Sequence, residues 1–232
     1  MKMKSLASIE NDNKENIYIF DFDGTLYRHD LLILYLIYHF FTFNDKIFLF
    51  KSFVAIKDKR LSSIRKKIFL HFASKYELIG CFKRFSKIFF IKYFIRKKLF
   101  IFFKKLNSSN KTIFIITANY RVLIKAFLEE NNIVESINFK IVGTELPINN
   151  KSTHKKILRG ELKEKKLLEI VEEKRIKITD INIYNFFDSY EDKYLCKHSR
   201  YNILISTLNL KKKIFFKKNY NAIYYNDFLK KI

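Results

Sequence analysis

Phe20-Asp21-Phe22-Asp23-Gly24-Thr25-Leu26 follows directly on Ile17-Tyr18-Ile19, and this junction decides how the chain is read. Residues 17–22 form a short apolar run that stops at a turn signal, Asp23-Gly24, which is the pattern of a buried strand. Side chains alternate along a strand, so Asp21 and Asp23 point apart unless the chain bends between them. A bend at the strand end, eased by Gly24, turns both carboxylates towards one ligand. The competing reading is a hairpin with an Asp-Gly turn. It needs a half-exposed partner strand after Gly24, and residues 31–41 are too continuously apolar for that.

Similar runs recur downstream. Residues 112–117 (TIFIIT) and 181–187 (INIYNFF) read as buried strands, and residues 137–142 and 201–206 as two more. Helical patterns separate them, notably over 120–130 and 161–173. Strands alternating with helices predict an α/β, Rossmann-like fold, a mostly parallel sheet with helices on both faces. The interval 27–111 is strand-poor and reads as helix throughout. Within it Ile88, Ile91, Ile95, Leu99, Phe102 and Leu106 recur at steps of 3 or 4, which predicts one helical stripe. The expected division is a flexible tail over 1–16, a core from 17–26 and 112–232, and an inserted helical cap over 27–111.

Composition narrows the class. Of 232 residues, 48% are hydrophobic, enough for a real core, while 4 Gly and 1 Pro exclude collagen-like and linker-rich architectures. Two cysteines, Cys81 and Cys196, make no disulfide framework, so a reducing, cytoplasmic setting is expected. Residues 1–16 lack the apolar segment of a secretory signal. The longest apolar stretch, 31–38, is far short of the roughly 20 residues that span a bilayer. Lys and Arg number 46 against 23 Asp and Glu, a formal net charge of +23. Residues 51–111 hold 18 of those bases, only Asp58 and Glu77 as acids, and 11 of the 26 Phe. Codon bias accounts for abundant lysine but not for the missing acids.

The chain resembles the haloacid dehalogenase-like phosphatase superfamily, whose first motif is Asp-x-Asp-x-Thr after a strand. Thr117-Ala118-Asn119, at the end of a strand, is similar to the second motif. Gly160-Glu161-Leu162-Lys163 is similar to the third, which supplies a lysine, and Asp188-Ser189-Tyr190-Glu191-Asp192 to the fourth. The insert between motifs one and two resembles the cap of subfamily IB, which contains phosphoserine phosphatases and a bacterial phosphatidylglycerophosphatase. Single motifs have ordinary alternatives. Thr117 can cap the helix that follows, Lys163 can lie on a solvated helix face, and Ser189-x-x-Asp192 fits a capping box. Their order, each at a strand end or helix start, is what favours a site, because ligands of open parallel sheets bind there. The chain departs from the subfamily at Asn119, where Ser or Gly is usual, at Phe187, often a small residue, and at Glu191, where phosphoserine phosphatases carry Asn.

The resemblance implies a phosphomonoester hydrolase working through an aspartyl-phosphate. Asp21 is the nucleophile and Asp23 the acid and base. Asp21, Asp23 (through its main chain) and Asp188 hold Mg²⁺, and Thr117, Ala118 and Lys163 bind the phosphoryl group, with Asp192 orienting Lys163 or a metal-bound water. Asp30 aligns with an acidic cap position that binds the substrate amine in phosphoserine phosphatases, though it can equally cap the next helix. A negative Glu191 disfavours phosphoserine itself. The basic, Phe-rich interval points to an anionic membrane surface, since each Lys or Arg near one contributes about 1 kcal/mol. The expected substrate is therefore a phospholipid phosphate, phosphatidylglycerophosphate for example, met at the inner face of the membrane. A small soluble phosphate metabolite is the second reading. A non-catalytic basic protein binding nucleic acid ranks last, because it leaves Asp21, Asp23, Lys163 and Asp188 without a role.

Overall fold

The computed structural model describes residues 14–42, 78–88, 92–145, 157–205 and 209–230. Six strands, β1 (Glu15–Phe20), β2 (Thr112–Tyr120), β3 (Phe139–Thr144), β4 (Ile181–Phe187), β5 (Tyr201–Leu204) and β6 (Ile223–Tyr224), form one sheet. Their order is β3-β2-β1-β4-β5-β6 and every pairing is parallel. Among the described residues the principal helices are α1 (Leu31–Thr42), α2 (Leu78–Lys87), α3 (Lys97–Ser108), α4 (Arg121–Glu129), α5 (Glu161–Glu173), α6 (Lys193–Cys196), α7 (Leu210–Tyr220) and α8 (Tyr225–Leu229), with single 3-10 turns at Ile178–Asp180 and Tyr190–Asp192.

Alternation along β1 divides the core in two. Ile17 and Ile19 face Leu167, Ile170 and Val171 of α5, while Tyr18 and Phe20 face the aromatic side built from α3, α4 and α8. Both faces of the sheet are thus covered, and β4 is buried along its whole length, which is why five of its seven residues are apolar and its two asparagines, Asn182 and Asn185, are buried as well. Strand β6 has only two residues and carries no periodic signal in the sequence.

The helical stripe predicted across 88–106 is interrupted. Helix α2 ends at Lys87, Ile95 forms a β-bridge with Tyr27, and α3 starts at Lys97. A helix cannot spare the backbone groups that this bridge uses, so the stripe breaks there. Arg28 N–H donates to Phe94 C=O (2.9 Å) and Arg96 N–H to Leu26 C=O (3.0 Å), so the chain leaving β1 and the chain returning to α3 run side by side. Helix α3 then lies on the sheet, with Phe103 edge-on to Phe20 and Phe139 at centroid distances of 5.4 Å. About half of the basic interval, residues 51–77 and 89–91, lies outside the described residues, as does most of the predicted tail. No helix among the described residues is long and apolar enough to cross a membrane.

Phe103 is fully buried between α3 and the sheet. Phe103→Ala is expected to cost about 3–5 kcal/mol of unfolding free energy, read from a urea titration.

Candidate active site

The chain runs β1, β2, β3 to one side and then returns to place β4 on the other side of β1, so the sheet changes direction between β1 and β4. In open parallel sheets, ligands bind beyond the strand ends at such a reversal of strand order. Phe20 pairs with Phe186, and Asp21 N–H donates to Phe186 C=O at 2.9 Å, which sets the ends of these two strands level. Asp21 and Asp188 therefore emerge side by side, 167 positions apart in sequence. The chain turns at once after Phe22, whose C=O accepts from both Thr25 N–H (3.2 Å) and Tyr27 N–H (3.0 Å). Gly24 makes the turn with φ +78°, and a Cβ there would lie 2.3 Å from an Asp188 carboxylate oxygen. Only glycine allows both the backbone and the approach.

Lys163 enters from the first turn of α5. It occupies the buried face with Leu167, Ile170 and Val171, and its ammonium is 2% exposed. Nζ donates to Asp192 Oδ1 at 2.6 Å and to Asp21 Oδ1 at 3.1 Å. Asp192, fully buried, accepts from Ser189 Oγ at 2.6 Å on its other oxygen. Ser189 and Asp192 thus bond each other's side chains rather than form the predicted capping box. Lys163 does not lie on a solvated face.

Asp23 is held on both oxygens. Leu31 N–H, at the start of α1, donates to Oδ1 and the Asn119 amide to Oδ2, each at 2.9 Å. Asp30 accepts from Ile33 N–H at 3.2 Å, in the manner of a helix cap, and its charge reaches Asp23. Thr117 is buried but caps no helix. Its Oγ1 accepts from Asn119 N–H at 3.1 Å, so its own O–H proton is directed elsewhere. Ala118 C=O accepts from Thr144 Oγ1 at 2.8 Å.

The electrostatics are unbalanced. Asp21, Asp188 and Asp192 offer oxygens within 4.8 Å of one another, with one buried ammonium among them. Two like charges 4 Å apart repel by about 4 kcal/mol at an effective dielectric of 20. Burial pushes the Asp21 carboxyl well above its usual range, helped by Asp192 and Asp188 and opposed by Lys163. Burial, then Asp192, raises Asp188 to about 6. Burial also raises Asp23, with Asp30 adding to it. Burial disfavours the charged lysine, yet Asp192 and Asp21 together hold Lys163 above its ordinary value. An all-carboxylate donor set suits a hard divalent cation such as Mg²⁺. Asp192 is committed to Lys163 and Ser189, which leaves Asp21 and Asp188 as the better ligands. The Asp23 side chain lies outside this cluster.

Sequence reasoning missed two basic neighbours. Arg96 donates from Nε and Nη2 to Gly24 C=O (3.3 and 3.2 Å), and Lys212 to Asp188 C=O (2.7 Å). Both reach the site across long stretches of chain, and nothing local marks them among 46 basic residues. Lys163 did carry a signal, because it falls in register with Leu167, Ile170 and Val171 on an apolar stripe.

Asp188 ionises near 3.8 in the unfolded chain and near 6 in the folded one, so folding takes up a proton and stability falls as pH rises through that window. Asp188→Asn escapes this loss. In metal-free buffer its melting temperature relative to wild type is expected to climb between pH 4 and 6 and then level off. Millimolar Mg²⁺ should stabilise wild type at pH 7.5 and leave the variant unchanged.

No protein-family model matches the chain, and no curated protein does. Solved structures do. A protein of unknown function from Bordetella pertussis Tohama I superposes with a TM-score of 0.71 at 11% identity, over 91% of this chain and 99% of that one. A HAD family hydrolase from Salmonella enterica serovar Typhi gives 0.54 at 12% identity, over 90% and 67%. A phosphoserine phosphatase solved as an analogue of its phospho-aspartyl intermediate gives 0.54 at 13% identity, over 95% and 100%. The parallel sheet ordered β3-β2-β1-β4-β5-β6 is therefore the α/β fold of these hydrolases.

Proposed function

We propose that the chain is a Mg²⁺-dependent phosphomonoester hydrolase of the haloacid dehalogenase-like superfamily, with a cap of the subfamily IB type, over residues 27–111, and a core formed by 17–26 and 112–232. The observation that carries this reading is the meeting of Asp21, Lys163, Asp188 and Asp192 at one end of a single sheet. Structures with this fold include a HAD family hydrolase and a phosphoserine phosphatase, which supports the reaction class.

An Asp21 oxygen attacks phosphorus and the ester oxygen leaves, taking a proton from the Asp23 carboxyl. The ionised Asp23 then removes a proton from water, which attacks the Asp21 acyl-phosphate and releases inorganic phosphate, restoring both residues. A raised Asp23 suits the first half, since burial and the nearby Asp30 charge favour its protonated form, the one that can donate. Lys163 neutralises charge on the phosphoryl oxygens, and the Thr117 hydroxyl and the main chain at Ala118 orient them. Mg²⁺ held by Asp21, Asp188 and the main chain of Asp23 would neutralise further charge and align the phosphate. Asp30 sits near the acid and base as a candidate contact for the substrate's leaving group.

The favoured substrate class is a phospholipid phosphate at the inner face of a membrane. Its support is the charge of 51–111 and the interleaved Phe, which suit an anionic interfacial region. A soluble phosphate ester is the outcome that replaces it.

With an aryl phosphate and Mg²⁺, wild type is expected to turn over. Asp21→Asn and chelator-treated protein should lose at least about 10³-fold in kcat, read from phosphate release. Separately, the protein should sediment with anionic liposomes at physiological salt and not with neutral ones. Equal recovery in the supernatant from both would assign the soluble substrate class.

A further inference from the structure

Asn119 departs from the resemblance by its identity, and it occupies a place where its chemistry is fixed on all sides. It lies where β2 leaves register with β3, between Ile116 and Tyr120, so its side chain is aimed by a bulge rather than by regular alternation. The bulge is pinned. Asn119 N–H donates to Thr117 Oγ1, Thr144 Oγ1 donates to Ala118 C=O, and Gly143 gives the room, since a Cβ there would stand 2.8 Å from Asn119 C=O. Asn119 Oδ1 accepts from Tyr120 N–H at 2.7 Å, which settles the orientation of the amide. The remaining end, Nδ2, meets Asp23 Oδ2 at 2.9 Å, in a setting that buries Asn119 to 4% exposure.

We propose that Asn119 is a positioning residue for Asp23, fixing the carboxyl so that it delivers a proton to the leaving oxygen. This rests on the hydrolase reading above. With Leu31 N–H on Oδ1 and the Asn119 amide on Oδ2, one lone pair of each oxygen is used and rotation about the Asp23 side chain is stopped from both sides. Without Asn119, Oδ2 is released and the proton is presented over a wider spread of positions. A misplaced catalytic group loses rate in proportion to how much the reaction needs it. An alkoxide leaving group needs the proton far more than a nitrophenolate, which departs well as an anion.

The test compares kcat/KM, which reports the first displacement, for an alkyl phosphate (glycerol 2-phosphate) and for p-nitrophenyl phosphate, in wild type and Asn119→Ala. The alkyl ester is expected to lose about 10-fold or more relative to the aryl ester. This ratio does not depend on the fraction of folded enzyme. In an Asp23→Asn background the same substitution should cause no further change in the ratio. Should the alanine variant fail to fold, Asn119→Ser carries the same expectation, because its hydroxyl is too short to reach Asp23. An equal loss on both esters, or an undiminished effect in the Asp23→Asn background, would overturn the role of Asn119 and leave the hydrolase reading standing. A wild type inactive on both esters would overturn both.

Discussion

One ammonium group, Lys163 Nζ, organises the end of the sheet. It is almost sealed from water, and a buried cation is tolerated only with partners that replace its hydration. Asp21 and Asp192 supply them, and they come from the chain after β1 and from the turn after β4. The contact therefore ties α5 to two strand ends at once. Asp188 stands close enough to add its oxygens to theirs, so the contact that assembles the site also gathers the oxygen donors that the proposed Mg²⁺ would use. Assembly and chemistry share a cause.

Much of this arrangement was legible in the sequence. Fully buried parallel strands announce themselves as short apolar runs, and residues 181–187 emerge with the same limits in the structure. Asp21 and Asp188 each end such a run, and a parallel sheet that reverses its strand order sets those two ends together. The stripe from Ile88 to Leu106 misled because periodicity records which face is apolar, not whether the backbone continues. The bridge between Tyr27 and Ile95 is a tertiary contact, invisible to any local window. Strand β6 escaped for a simpler reason, since two residues cannot express a period.

Polar side chains divide in the same manner. Lys163 could be found from its register on α5, and Asp188 from its place at a strand end. Asn119 could only be noticed as a departure. What it does depends on a bulge in β2, a glycine on β3 and the position of Asp23, three features that meet only after folding. Arg96 and Lys212 belong with it, their roles set by where their long side chains arrive rather than by where they start.

The paired connections at Leu26–Arg28 and Phe94–Arg96 have a broader consequence. Held by the bridge and by their mutual hydrogen bonds, they keep the two attachment points of the long excursion together, as the neck of a bag does. The entropy of closing a loop grows only slowly with its length, and here the sheet itself fixes both ends. Extra length between α1 and α2 therefore adds little to the cost of closure, whereas Leu31, Tyr35, Phe82 and Phe85 on those two helices belong to the main core and hold the excursion to the platform beneath it.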